Sequence, residues 1–416
     1  MIITKVDVFH VRDRLNPSIH PVLCRVYTDT GLYGDGEAAM SYGVGSTAAF
    51  GMVQDLANLI VGMDPLENEK IWDKMYRTTF WGQNGGGVFS AGMSAIDIAL
   101  WDIKGKYFGV PIHVLLGGKL NDDLRVYASQ IQFGWRRTMG AVFGVQEYAE
   151  AARRAVAEGY DAVKADFFTF RDVPARGGFT DRDRTCCLLP ENLRLVTDRV
   201  AAVREAVGPD TDIIIENHSY LDVNTAVQLA EAVQPYGIMY FEEPNTPSPQ
   251  TAKRLAERIS IPIASGERIY TRWEYAPYFQ DGSLQVAQPD LGTCGGFTEV
   301  KKICDMAYTY DVAVQIHACG SPISTAAALQ MEAAIPNFII HEHHQCFLTE
   351  NNIKLCKRDY QPVRGRFKVP ELPGLGQELS DFVLYDRDNV ELVTVDGTAQ
   401  SWTMAKDAAP EANGEA

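Results

Sequence analysis

Short apolar runs recur between Thr211 and His344, and each stops at a carboxylate or an imidazole. They read DIIIE to Glu216, IMYFE to Glu242, IPIASGE to Glu267, LQVAQPD to Asp290, VAVQIH to His317 and FIIHE to Glu342, at steps of 23–27 residues. That step holds a strand, a turn and a covering helix, because parallel strands need a crossover of a dozen or more residues. Helix-like stretches fill the gaps, among them TAVQLAEAV from Thr225 and TAKRLAER from Thr251. The pattern predicts a repeated βα unit, and with it an α/β fold of the (β/α)8-barrel type. In such barrels the active site is assembled at the C-terminal ends of the strands. Loops are polar by default, but six polar ends in register are poorly explained by chance.

Two earlier strands are predicted upstream, LRVYASQ (Leu124 to Gln130) and DAVKAD, which ends at Lys164 and Asp166, with a helix over 145–158 between them. Asp166 and Glu216 are 50 residues apart, twice the usual step. The surplus, FFTFRDVPARGGFTDRDRTCCLLP, is a candidate lid or binding loop whose cations are Arg171, Arg176, Arg182 and Arg184. Residues 2–40 alternate like strands around a turn at Thr30-Gly31, interrupted by the loop RLNPSIH from Arg14 to His20. The pattern then turns helical to about Phe80 and breaks at WGQNGGG, Trp81 to Gly87. That break lacks both a preceding strand and a GKS/T ending, which speaks against a phosphate loop. A long helix follows to Gly109, with Ile96, Leu100 and Ile103 as its stripe. The resulting division is an α+β module over 1–122, a barrel over 123–350, a segment over 351–404 returning to the first module, and a tail over 405–416 expected to be disordered.

Charge and composition narrow the function. A formal charge of −16 on 416 residues argues against nucleic acid as a partner, since phosphates call for a basic surface. No apolar run is long enough to span a bilayer, and the first residues lack the basic start and apolar core of a signal peptide. The eight cysteines are scattered without a CxxC pair, as expected for reduced thiols in a cytoplasmic protein.

Glu216, Glu242 and Glu267 end three successive strands, and neighbouring strands lie roughly 5 Å apart. Carboxylates that close repel unless a cation neutralises them. An all-oxygen set suits Mg²⁺. Asp290 and His317 end the next two strands, where the carboxylate fixes the imidazole tautomer and leaves the other nitrogen to act as a base. A metal beside such a pair suits removal of a proton α to a carboxylate, with the cation stabilising the enediolate. The run HEHH (His341 to His344) invites a zinc reading, but alternation along a strand sends His341 and His343 to one side and Glu342 and His344 to the other. An inward Glu342 is the better expectation.

These residues resemble the enolase superfamily, in its mandelate racemase subgroup, and most closely its acid-sugar dehydratases of the galactonate and mannonate dehydratase type. The resemblance covers nearly the whole chain. SAIDIALWDIKGK and VPIHVLLGG are similar to the family's N-terminal capping domain, and FEEP, SGER and QPDLGTCGG to its barrel motifs. It implies that Glu216, Glu242 and Glu267 are Mg²⁺ ligands, that His317 and Asp290 are the catalytic dyad, and that Glu342 contacts the substrate carboxylate. Lys164, Asp166, Arg268 and Trp81 are the candidate substrate contacts, although Arg268, like Glu243, flanks a ligand and could instead support it. Two departures matter. The first ligand is usually Asp, and the racemases' Lys-x-Lys is here Lys164-Ala165-Asp166, without the second lysine as base. His218, two residues past Glu216, matches a histidine of the galactonate-type dehydratases and is a candidate acid for a departing hydroxyl. The resemblance thus implies Mg²⁺-dependent dehydration of a sugar acid to a 2-keto-3-deoxy acid by a symmetric homo-oligomer. The alternatives are an acid-sugar epimerase or cycloisomerase on the same scaffold, with Asp166 or a lid residue as second acid–base group, and a non-catalytic relative that binds or regulates.

Overall fold

The computed structural model describes residues 1–12, 19–174 and 178–398. Most of the Arg14 to His20 loop, Arg176 and the 405–416 tail lie outside the described residues. The alternation at the N-terminus forms β1 (Ile3–Val11), β2 (Val22–Thr28) and β3 (Tyr33–Ala38) as an antiparallel meander. Its fourth strand comes from the far end of the chain. Val390–Val395 pairs antiparallel with β1, setting Val395 opposite Val6 and Val390 opposite Val11.

Three helices cover this sheet: α1 (Ser46–Ile60), α2 (Asn68–Thr78) and α3 (Gly86–Phe108). The last begins inside the glycine-rich break, earlier than the apolar stripe suggests, and Gly109 ends it with φ 68°. It presses directly on β3, where a Cβ at Gly36 would lie 1.9 Å from the Ala95 carbonyl oxygen. Only glycine permits that approach.

Eight strands make the second sheet: β4 (Asp123–Ser129), β5 (Ala162–Asp166), β6 (Asp212–Glu216), β7 (Ile238–Glu242), β8 (Ile263–Ser265), β9 (Val286–Ala287), β10 (Ala313–Val314) and β11 (His341–His344). They pair in parallel in chain order from β4 to β10, and β11 returns to the free side of β4. A single parallel bridge, Val314 to Phe338, joins β10 to the approach of β11 and curls the sheet round on itself. A short strand, Arg366–Lys368, adds antiparallel to β4.

Helices with apolar inner faces wrap the outside, for example Val223–Val233, whose Val223, Ala226, Val227, Leu229, Ala230 and Val233 are buried. Tyr127, Ile214, Tyr240, Ala264 and Ile340 fill the interior, so the barrel is a packed core with its polar groups at one end. Buried polar contacts seat the first sheet and its helices on the barrel. Glu37 on β3 accepts from the backbone N–H and hydroxyl of both Ser321 and Ser324, at the start of the helix Pro322–Ala334. Asp97 on α3 accepts from the backbone and hydroxyl of Thr298 at 2.9 and 2.6 Å. Trp72 Nε1 donates to the Gly295 carbonyl at 3.0 Å.

Candidate active site

The register of the parallel strands brings the polar ends together. Asp166 lies beside Glu216, and Glu216 beside Glu242. The later groups sit just beyond their ladders: β8, β9 and β10 end at Ser265, Ala287 and Val314, whereas the functional candidates are Glu267, Asp290 and His317. Gly266 explains part of this, because a Cβ there would meet the Gln288 backbone at 2.4 Å. Pro289 has no N–H to continue a ladder.

At the centre, the Lys164 ammonium reaches Glu216 Oε2 at 3.0 Å, Glu242 Oε1 at 2.5 Å and Glu342 Oε1 at 2.8 Å, all four side chains being buried. Burial pulls the Lys164 pKa down, but the charges of Glu216, Glu242 and Glu342 outweigh it and hold the amine protonated. An ammonium has three donors. The contact to Glu242 is a hydrogen bond and the other two are ion pairs, so the lysine sits here as the counter-ion of three glutamates.

The carboxylates gathered most closely are Glu216, Glu243 and Glu267, with one oxygen from each within 4.8 Å of the others. This differs in one member from the trio expected from the sequence, because Glu242 on the strand turns to Lys164. Glu243 leaves the strand with φ 41°, and Arg268 and the Ser219 hydroxyl hold it. Arg268 also pairs with Glu267 at 2.6 Å, so this candidate substrate contact is engaged by two carboxylates. Glu216 Oε1, Glu242 Oε2 and Glu243 Oε1 are buried with no hydrogen-bond partner. Unmatched anionic oxygens on several neighbouring carboxylates fit a hard divalent cation.

Two imidazoles flank this cluster. His317 Nδ1 lies 2.7 Å from Asp290 Oδ2, while its Nε2 faces Glu267 Oε2 at 2.9 Å and Glu342 Oε2 at 4.0 Å. Asp290 is itself fixed by the Gly292 N–H at 2.6 Å. His218 Nδ1 lies 2.6 Å from Asp166 Oδ2, with Nε2 3.8 Å from Glu216 Oε2. Burial lowers the pKa of each ring, but neighbouring carboxylates prevail. Glu216 and Asp166 raise His218 to about 10, and Glu267 and Asp290 raise His317 well above its usual value.

Glu342 points inward as expected and accepts from the Ser129 hydroxyl at 2.7 Å and the Ala318 N–H at 3.1 Å. His341 and His343 turn outward to Glu332 and Gln361, at 2.7 and 3.1 Å, so the HEHH run does not converge on one ion. Trp81 is 77% exposed and packs against Phe80, away from these buried groups. The same glycine-rich stretch does meet the barrel, where a Cβ at Gly87 would lie 2.6 Å from the hydroxyl of Tyr270, three residues past Glu267. In the long loop, Arg171 pairs with Asp183 at 2.5 Å, and Arg184 lies over the Tyr220 ring and donates to the Phe179 carbonyl.

Three participants carry no sequence signal of the kind used above. Ser129 ends β4 and Gln130 follows it, so this barrel strand stops without a charge, yet Gln130 Nε2 donates to Glu216 Oε2 at 2.9 Å. Gln132 in turn donates to Gln130. Their common signal is position, at the C-terminal end of a barrel strand.

Comparison with known proteins agrees with this architecture. Residues 147–383 match the family described as Enolase C-terminal domain-like, and residues 16–117 match the mandelate racemase / muconate lactonizing enzyme N-terminal domain. The chain belongs to the enolase superfamily. Among its relatives, a D-xylonate dehydratase of Haloferax volcanii is 34% identical over 90% of this chain and 86% of its own length. A D-galactonate dehydratase of Pectobacterium atrosepticum is 29% identical over 93% of this chain and 94% of its own. An enolase superfamily structure from Salmonella Typhimurium superposes with a TM-score of 0.90, at 50% identity, covering 95% of this chain and 99% of that one. The first sheet with its helices is therefore the capping domain of a superfamily member, and the parallel sheet is its barrel.

Proposed function

We propose that this enolase superfamily protein dehydrates a sugar acid, an aldonate or aldarate, to a 2-keto-3-deoxy acid. One observation carries the reading: two imidazole–carboxylate pairs face one buried carboxylate cluster from ends four strands apart in an eight-stranded ring. A base and an acid are thereby set on opposite sides of the place where a substrate would lie. The acid-sugar dehydratases among the relatives support the same reading.

Glu216 and Glu267, with a third carboxylate from the Glu242–Glu243 pair, would hold a divalent cation, for which we propose Mg²⁺. A cation held there would supply positive charge against the substrate carboxylate and against Glu267, which faces His317 Nε2 at 2.9 Å. His317, oriented by Asp290, removes the proton α to that carboxylate. Ser129, Lys164 and the Ala318 N–H fix Glu342 beside it. His218 gives a proton to the β-hydroxyl as the C–O bond breaks, and the enol left behind becomes the keto acid. The capping domain's glycine-rich stretch at Gly87 and the long loop after β5 are the proposed source of substrate selection.

The test is a screen of hexonates, pentonates and aldarates with Mg²⁺, assaying 2-keto-3-deoxy products with semicarbazide, with His317→Asn run alongside. Product from one or a few epimers, lost in the variant, is the expected result, and product formed in D2O should carry solvent deuterium. A second reading has a specific observation behind it. A 3,6-anhydro-D-galactonate cycloisomerase from Zobellia galactanivorans superposes with a TM-score of 0.78 at 27% identity, covering 94% of this chain and all of that one. Deuterium exchange or ring opening without loss of water would favour that reading and sink dehydration.

A further inference from the structure

Resting on the dehydratase reading, we infer that Asp166 is a positioning residue that makes His218 the acid for hydroxyl departure, and not a substrate contact. Asp166 ends β5 and is 3% exposed. Both of its oxygens are committed: Oδ2 to His218 Nδ1 at 2.6 Å and Oδ1 to the Phe168 N–H at 2.7 Å. Each oxygen of this buried carboxylate is thus oriented by a protein donor. It faces the ring nitrogen directed away from the cluster, so Nδ1 keeps its hydrogen and Nε2 is the atom presented to the site.

The backbone shows that this orientation is imposed. His218 and Ser219 have φ of 45° and 62°, in the left-handed region that side chains other than glycine rarely adopt. Such conformations persist only where the surroundings over-determine them, and they collect at functional sites. Here the surroundings are the Ser219 N–H on the Glu243 carbonyl and the Ser219 hydroxyl on Glu243 Oε2, both at 2.9 Å. The turn carries the imidazole back across the end of β6, placing Nε2 3.8 Å from Glu216 Oε2 while Asp166 receives Nδ1. A histidine merely ending a strand would need neither the strained pair nor the second carboxylate.

The chemical step balances without another reactant. The electron pair left by removal of the α-proton forms the Cα–Cβ double bond as the β C–O bond breaks with its own pair going to oxygen, the Nε2 proton moves to that oxygen to give water, and the ring is left neutral with Nδ1–H on Asp166. Removal of the α-proton uses the other pair, His317–Asp290. The two half-reactions therefore rest on different carboxylates and can be separated.

The experiment compares wild type with Asp166→Ala and Asp166→Glu, all loaded with Mg²⁺. Three readouts are taken: dehydration of the substrate, exchange of the α-hydrogen of a 3-deoxy analogue in D2O, and the hydrogen-bonded Nδ1 proton of His218 by ¹⁵N-edited NMR. Asp166→Ala is expected to lower kcat for dehydration about 100-fold or more, with KM within about threefold and α-hydrogen exchange retained. Asp166→Glu should recover part of the loss. A raised KM with kcat unchanged would make Asp166 a substrate contact and overturn the inference. So would equal loss of dehydration and exchange. If the wild type dehydrates no acid, the dehydratase reading fails separately. The Nδ1 resonance, expected in wild type and missing in Asp166→Ala and His218→Asn, then decides the positioning claim, and its absence from wild type overturns it.

Discussion

Asp290 holds His317 by Nδ1 at 2.7 Å and leaves Nε2 directed into the carboxylate cluster. The loop after β9 thus determines what the loop after β10 can do. Asp290→Asn keeps the size of the side chain but can present an N–H to Nδ1, which favours the wrong tautomer. The expected result is a kcat lower by about 10²–10⁴-fold with KM little changed. Steady-state kinetics on the substrate found by screening checks this. A fall of less than threefold would remove His317 from the role of base.

In the proposed Mg²⁺ site, the third ligand is one of two adjacent residues. Each has a cationic partner, Lys164 for Glu242 and Arg268 for Glu243, and each keeps one buried oxygen with no donor, but Glu243 is also pinned by the Ser219 hydroxyl. We therefore expect Glu242→Gln to weaken Mg²⁺ binding by about 10–100-fold, a range typical for perturbing the groups around a bound metal, and Glu243→Gln to change it by less than about threefold. Titration calorimetry on the apo protein reads both. The reverse order would give the third place to Glu243, the member that the carboxylate geometry nominates.

Glu37 ties the capping domain to the barrel through four donors on Ser321 and Ser324. Replacing it with alanine leaves those donors without their acceptor at a buried helix start. Unsatisfied buried groups cost about 1–3 kcal/mol each, so Glu37→Ala should lower unfolding stability by about 3 kcal/mol or more in urea denaturation. An unchanged midpoint would mean that the Glu37 contacts contribute nothing net to holding the domains together.

His10 predicts an acid limb in stability that is independent of the active site. Burial, then the charges of Arg12 and His20, lower its pKa from 6.5 to about 4, and its Nδ1 accepts from Arg12 Nε at 3.2 Å. The folded state thus keeps the ring neutral where the unfolded chain would protonate it. Its contribution is present above pH 6.5 and is lost as pH falls through about 4. Melting temperature measured across that window should drop less steeply in His10→Gln than in wild type.

Much of this site was visible in the sequence because barrel chemistry sits where apolar runs stop. Glu216, Asp290, His317 and Glu342 stand at the ends their runs mark, and His218 at a fixed offset from one of them. The limits are equally physical. Counting charges at strand ends passes over Ser129 and Gln130, neutral groups that nevertheless hold Glu342 and Glu216. Alternation cannot say which of two adjacent glutamates turns inward once the chain leaves the strand, as Glu243 does with φ 41°. Nor does it show that Asp166 is taken up by a histidine 52 residues further on. Trp81 and the arginines of the long loop lie in aperiodic stretches, where no repeat indicates what a side chain faces.

The strand Val390–Val395 lies along β1, with Val395 beside Val6. During synthesis, β1 must therefore wait for almost the whole chain to leave the ribosome before its outer edge is covered. Until then an apolar strand displays unpaired N–H and carbonyl groups, a template for pairing with another nascent copy. A chain cut short before residue 390 would keep every polar group of the barrel site and still leave that edge open. Premature termination late in the message is thus expected to yield aggregated protein, although all the chemistry has already been translated.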